Sequence, residues 1–229
     1  MRGLTIVFDL DGTLVDTAPD LVAATNHALG LEGIMPVPAS VLTPWVSHGA
    51  RCMLVEGLRH SALTLTEPDV DRLLGRFLTY YEANIAVASR TYEGAVPALL
   101  ELKQAGAKLA VCTNKREQLS KLLLRELDIA HHFDAIAGRD TFSVSKPHPD
   151  HLLGTVSLAG GNPQRSIMVG DTSVDIETAG AAGIPSIAVS FGYSQVPAAE
   201  LGAGMTIDHY RDLSAAVAAF YPPYGRKAT

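Results

Sequence analysis

The chain has 229 residues, with 24 Asp or Glu against 18 Lys or Arg, a net charge of −6. An acidic chain without a basic block lacks the electrostatic footprint of a nucleic-acid or anionic-membrane binder. Hydrophobic residues make up 47% and charged residues 18%, the balance of a globular protein, and the length suits one full core with an insertion.

The chain begins with an apolar stretch, Met1–Phe8, that Asp9 and Asp11 cut at once. It is too short and too acidic for a secretory segment, and no apolar run approaches the roughly 18 residues of a membrane span. Within it, Leu4–Phe8 is continuous in β-branched and aromatic residues, as in a strand covered on both faces of a parallel sheet. From Asp16 to about Ile85 strand signals vanish. Helical patterns run over Leu21–Leu29, Ala50–Leu58 and Asp69–Asn84, and Pro36, Pro38 and Pro44 break the gap between the first two. This block is expected to be a helical domain inserted after the first strand, with connections near Asp16–Asp20 and Ala86–Gly94. Strand and helix then alternate: strands at Lys108–Cys112, Asp134–Gly138, Ser166–Gly170 and Pro185–Ser190, helices at Ala95–Ala105, Arg116–Leu127, Asp150–Ala159 and Val174–Ala182. Such alternation predicts βαβ units and a doubly wound, Rossmann-like α/β fold. The expected division is 1–15 and 91–229 for the α/β core and 16–90 for the helical insert. The tail Tyr221–Lys227 reads as loose. Two cysteines, Cys52 and Cys112, make no disulfide framework and read as reduced, which gives a cytoplasmic setting.

Four polar clusters fall at the ends of these strands or in the loops after them. The first strand runs into Asp9-Leu10-Asp11-Gly12-Thr13-Leu14, where two carboxylates without an adjacent Lys or Arg repel each other unless a cation joins them. The next finishes at Thr113-Asn114-Lys115, a hydroxyl and an amide suited to phosphate oxygens. Lys146-Pro147 offers an ammonium on a restrained backbone, and Gly170-Asp171-Thr172-Ser173-Val174-Asp175 brings a second carboxylate pair at a helix start. Asp171 there also reads as a helix cap. Ligands of parallel α/β sheets sit beyond the carboxyl ends of the strands, and four polar clusters there in one chain point to a site.

Together these four segments resemble the motifs of the haloacid dehalogenase-like hydrolase superfamily, in order and across nearly the whole chain. The helical insert resembles that superfamily's small cap, and Ser47-His48-Gly49-Ala50-Arg51 with Glu56-Gly57-Leu58 resembles its phosphoglycolate phosphatase branch. The resemblance implies a Mg²⁺-dependent phosphomonoester hydrolase with a small phosphorylated metabolite as substrate, 2-phosphoglycolate first among them, and a monomeric or homodimeric enzyme with no nucleic-acid or membrane partner. It casts Asp9 as nucleophile and Asp11 as general acid and base, with Thr113, Asn114 and Lys146 on the phosphoryl oxygens. Asp9, the backbone carbonyl of Asp11 and Asp171 would hold the metal, and Asp175 would orient a metal-bound water or Lys146.

Asp11 argues against a dehalogenase, whose halide leaving group needs no proton. No Lys precedes Lys103, which excludes the phosphonate-cleaving branch with its cap lysine. Phosphoryl transfer of the β-phosphoglucomutase kind, a pyrophosphatase or sugar-phosphate phosphatase, and a non-enzymatic binding protein on an inherited fold stay open. Arg51 and His48 are the candidates for reading the substrate's far end, with Arg51 equally well read as an exposed first-turn residue. His148 and His151 read as a solvated helix start.

Overall fold

A computed structural model describes residues 1–63 and 66–221. Its centre is a six-stranded sheet in the order β5-β4-β1-β6-β7-β8, made of β1 Thr5–Phe8, β4 Lys108–Cys112, β5 Ala135–Ala137, β6 Ser166–Gly170, β7 Ser186–Val189 and β8 Met205–Ile207. Every neighbouring pair in it is parallel. Side chains alternate across β1: Ile6 and Phe8 enter one apolar cluster with Leu109, Val111, Ile167 and Val169, while Val7 enters the opposite one with Ala110 and Met168. Both faces are covered, so each central strand reads as an unbroken apolar run. Helices α5 (Ala95–Gln104), α6 (Glu117–Glu126) and α9 (Leu213–Phe220) contribute to the first cluster; α7 (Pro149–Leu158) and α8 (Ser173–Ala181) cover the second.

The strand order places the site. From β1 the chain moves outward to β4 and β5 on one side, then returns to β6, β7 and β8 on the other, so β1 lies at the switch point where an α/β crevice opens. Phe8 is in register with both Val111 and Val169. Asp9 therefore emerges level with the ends of β4 and β6, and its N–H is held by Val169 O at 2.9 Å.

After the turn that follows β1, β2 (Val15–Asp16) pairs antiparallel with β3 (Arg90–Thr91). Between them run α1 (Ala18–Gly30), α2 (Ala39–Leu42), a 3₁₀ turn Thr43–His48, α3 (Ala50–His60) and α4 (Glu67–Ala83). Helix α1 packs on both α3 and α4. Its first turn starts at Ala18, three residues before the expected Leu21, because Pro19 sits where a missing N–H costs nothing. Strand β8, the β2–β3 ladder, α2 and α9 have no counterpart in the sequence reading. Of the tail, Tyr221 is described, its hydroxyl donating to Gln164 O at 3.0 Å; the remainder of the expected loose segment lies outside the described residues. Among the described residues no helix is long and apolar enough to cross a membrane.

Candidate active site

The end of β1 meets the loop after β5 and the end of β6. Lys146 Nζ lies 2.6 Å from Asp175 Oδ1 and 2.8 Å from Asp9 Oδ1. The contact to Asp9 is an ion pair without hydrogen-bond geometry, so Asp9 Oδ1 is buried with no donor. Burial alone would lower the Lys146 pKa, but Asp175 and Asp9 outweigh it and hold the ammonium firmly charged. Asp175 is closed off: besides Lys146 it accepts from the N–H and hydroxyl of Thr172 at 3.1 and 2.8 Å. Thr172, not Asp171, is thus the residue capping α8, which corrects the capping role read for Asp171. Asp171 instead turns to the crevice, accepting from Thr13 Oγ1 at 2.9 Å and Tyr193 N at 2.8 Å. Burial first, then the charges of Asp175 and Asp9, push its pKa up to about 8. Burial likewise raises Asp9, to about 6, although Lys146 opposes the shift.

The turn after β1 needs Gly12. Its φ is +84°, and a Cβ there would stand 2.5 Å from Asp171 Oδ2 and 2.8 Å from the Tyr193 ring. This close approach lets Asp11 reach across to β4. Lys115 Nζ lies 3.1 and 3.2 Å from the two Asp11 oxygens and 4.6 Å from the centre of the Tyr81 ring on α4. Burial pulls the Lys115 pKa down, yet Asp11 and Tyr81 reverse the shift upward. Nothing in the sequence alone gives Lys115 or Tyr81 a role. Thr113 is buried at the end of β4 and its Oγ1 accepts from Lys115 N at 3.2 Å. Asn114 Nδ2 donates to Lys146 O at 3.0 Å, tying two strand-end loops together, and its Oδ1 is buried without a partner.

His151 differs from expectation. It is fully buried, its Nδ1 accepting from Lys146 N at 3.1 Å and its Nε2 facing Gly138 O at 3.0 Å. Those two partners require the neutral tautomer protonated on Nε2, and burial holds the pKa down at about 4. His151 is a strut under Lys146, whereas His148 does cap α7, accepting from Asp150 N at 3.2 Å.

Above these groups is a cavity of about 310 Å³, with Asp9, Asp11, Thr113 and Lys146 on its floor and Leu21, Met53, Leu74, Phe77 and Tyr81 among its roof. Arg51 and His48 border it too. Arg51 is engaged elsewhere, bonded to Glu67 and, at 2.5 Å, to Asp71 on α4. His48 is exposed, its ring 5.3 Å from Trp45. Where floor and roof join, the Tyr193 hydroxyl accepts from Thr17 N and Ala18 N at 2.7 and 2.9 Å and donates to Asp16 at 2.6 Å.

Could these residues hold a metal? Asp9, Asp171 and Asp175 each bring one carboxylate oxygen within 4.8 Å of the others. Both Asp175 oxygens are taken, while Asp9 has one without a hydrogen bond. Burial, with the neighbouring carboxylates, raises the pKa of Asp9 and of Asp171, and the donors are all oxygen. Such a set fits a hard divalent cation.

Residues 6–189 match the model of the family described as haloacid dehalogenase-like hydrolase. The chain belongs to that family. It is 47% identical to a phosphoglycolate phosphatase of Agrobacterium fabrum over 92% of this chain and 91% of the relative. A phosphoglycolate phosphatase of Mesorhizobium japonicum is 44% identical, covering 93% and 94%. Among solved structures, one from Haemophilus somnus described as a predicted phosphoglycolate phosphatase superposes with a TM-score of 0.87 at 29% identity, over 94% of this chain and 97% of that one. These haloacid dehalogenase-like relatives are matched over nine-tenths of the chain, the helices between β2 and β3 included as well as the sheet.

Proposed function

We propose that this haloacid dehalogenase-like hydrolase is a Mg²⁺-dependent phosphatase acting on 2-phosphoglycolate. The observation that carries the reading is the pairing of a buried, under-bonded Asp9 with the Lys146 ammonium at 2.8 Å on the floor of the cavity. The phosphatases of Agrobacterium and Mesorhizobium, similar over nine-tenths of the chain, support the substrate.

In this mechanism an Asp9 oxygen attacks phosphorus, forming a P–O bond as the ester P–O bond breaks. Asp11 hands its proton to the departing alkoxide oxygen. Water then attacks the aspartyl phosphate, Asp11 takes a proton from that water, and the P–O bond to Asp9 breaks to release phosphate. Lys146 and Thr113 bind the phosphoryl oxygens, where negative charge gathers in the transition state. Asp9, the carbonyl of Asp11 and Asp171 would hold Mg²⁺, whose charge offsets the repulsion between Asp9 and an incoming dianion. Asp175 orients Lys146. We assign residues 16–90 to a cap over a core of 1–15 and 91–229, with the β2–β3 ladder as the crossing between them. The free thiols Cys52 and Cys112 suit a cytoplasmic enzyme.

The test is kcat/KM with Mg²⁺ for 2-phosphoglycolate against other phosphomonoesters and pyrophosphate, repeated with EDTA. A lead of about a hundredfold for 2-phosphoglycolate supports the substrate. A flat profile refutes the substrate, and release indifferent to EDTA refutes the metal.

A further inference from the structure

The substrate proposed above carries a second anion, and something must bind it. In 2-phosphoglycolate the carboxyl carbon is two bonds from the leaving oxygen, so its receptor has to stand beside the group that protonates that oxygen. The cations bordering the cavity, Lys146 aside, are Arg51, Lys115, Arg116, Arg139 and the titratable His48. Arg116, Arg139 and His48 are exposed. Arg51 is shared between two carboxylates on α4. Lys146 is committed to Asp9 and Asp175. Lys115 alone is a buried ammonium whose one anionic partner is Asp11; its side chain is 6% exposed.

We infer that Lys115 is the specificity-determining residue that binds the substrate's carboxylate, with the Tyr81 ring holding its ammonium in the cavity. The inference rests on the reading of Asp11 as the group serving the leaving oxygen. Lys115 Nζ lies 3.1 Å from Asp11 Oδ1, and an Asp11 oxygen within hydrogen-bond reach of the leaving oxygen puts that ammonium at most about 6 Å from it. A carboxylate that begins two bonds away falls inside this distance. Three donors on an ammonium allow Lys115 to engage the substrate while still touching Asp11. The Tyr81 ring faces the same ammonium from the roof at 4.6 Å, so a cation on the floor is steadied by a residue of the helical layer. A neutral leaving group offers Lys115 no anion and gains nothing from it.

The test compares kcat/KM for 2-phosphoglycolate with that for 2-hydroxyethyl phosphate, in which a neutral hydroxymethyl replaces the carboxylate. Lys115→Met should lower the ratio of the two by about a hundredfold, as for a lost charged hydrogen bond in a buried site, and Lys115→Arg should keep most of it. If Lys115→Met depresses both substrates alike and leaves the ratio unchanged, Lys115 merely orients Asp11 and the inference is wrong. It is equally wrong if the ratio collapses in Arg51→Met and survives in Lys115→Met. Calorimetry in the Asp9→Asn background, which does not turn substrate over, gives a readout free of catalysis. Adding Lys115→Met there should weaken binding of 2-phosphoglycolate and spare 2-hydroxyethyl phosphate; equal weakening overturns the inference. Carboxylate-dependent binding that Lys115→Met abolishes, in a protein whose parent hydrolyses neither ester, would sink the proposed function and leave the assignment of Lys115 standing.

Discussion

Asp20, in the first turn of α1, is the best place to perturb the joint between the helical layer and the sheet. Its carboxylate is buried and accepts from Ala88 N at 2.9 and 3.1 Å, Ser89 N at 2.8 Å and Ser89 Oγ at 2.7 Å. Residues 88 and 89 immediately precede β3, so one side chain fastens the returning connection to the outgoing one. Asp20→Ala deletes the acceptor and strands three donors, two amides and a hydroxyl, in a region where Ser89 is fully buried. Each donor left unpaired costs about 1–3 kcal/mol, and the hydroxyl can rotate to recover part of its share, so the sum is about 4 kcal/mol. In a chain of this size that lowers Tm by roughly 8–16 °C. Ser89→Ala removes one donor and leaves Asp20 its two amides; it should cost about 1 kcal/mol. Urea unfolding followed by circular dichroism, on the two single variants and the double, gives these values and their coupling. An Asp20→Ala loss below 1 kcal/mol, or perfect additivity with Ser89→Ala, would refute the claim that this carboxylate is the clasp.

Asp9→Asn should reduce phosphate release by at least about four orders of magnitude while leaving the melting temperature without metal equal to or above that of the parent, since one of the crowded carboxylates is gone; a phosphate-release assay and a thermal melt check both halves. The pKa of Asp171 is raised in the folded state to about 8 from 3.8, so between those values the native chain holds a proton that the unfolded chain has lost, and metal-free stability should fall as pH rises through that window. Mg²⁺ should therefore raise Tm more at pH 8 than at pH 5; an equal or opposite increment would count against Asp171 as a ligand. His151 works in the other direction: its pKa drops from 6.5 to about 4 on folding, so its share of stability is lost as pH falls through that interval, and urea midpoints at pH 7 and pH 5 should differ less in His151→Asn than in the parent. Gly12→Ala, with its Cβ 2.5 Å from Asp171 Oδ2 in a φ of +84°, should lower kcat/KM by at least about tenfold, because Asp171 and Tyr193 must shift to admit it.

How readily each part of the fold could be read followed from how continuously it is buried. Strands β4 and β6 are legible to the residue, and β1 to within one, because each is covered on both faces and runs apolar after a single polar first residue. Strand β8 has one buried residue, Ile207, out of three, and sits at the sheet edge, where too little apolar area is covered to leave a pattern. The β2–β3 ladder is two residues long and has no period at all. Helix α9 carries a start signal, Asp212 ahead of an apolar run, but its four alanines present no polar face. His151 could have been found: it shares a buried stripe with Leu152, Thr155 and Val156 at helical spacing, which marks an inward-facing position rather than a solvated one.

The residues of the site divide along the same line. Asp9, Thr113 and Asp171 announce themselves because strands in register stop at one level, and any polar residue placed just past that level falls in the crevice. Lys115 does not, since its role depends on Asp11, 104 residues away, and on a ring carried by a different layer. Four carboxylates, Asp9, Asp11, Asp171 and Asp175, share two buried lysines here. Lys146 serves Asp9 and Asp175, Lys115 serves Asp11, and Asp171 has neither. Asp171, the carboxylate left without a cation, has its pKa raised to about 8 by burial and by its acidic neighbours, and it lies close to Asp9, one of whose oxygens has no hydrogen-bond donor. A divalent cation between those two would answer both deficits at once. On the proposed reading the lysines stand where charge would arrive with the substrate, Lys146 at the phosphoryl group and Lys115 at the leaving group. Exchanging those duties would put the fixed cations where a divalent cation would bind and leave an anionic substrate without a receptor, so the partition of charge, more than the count of acidic residues, supports the proposed hydrolysis of an anionic phosphomonoester.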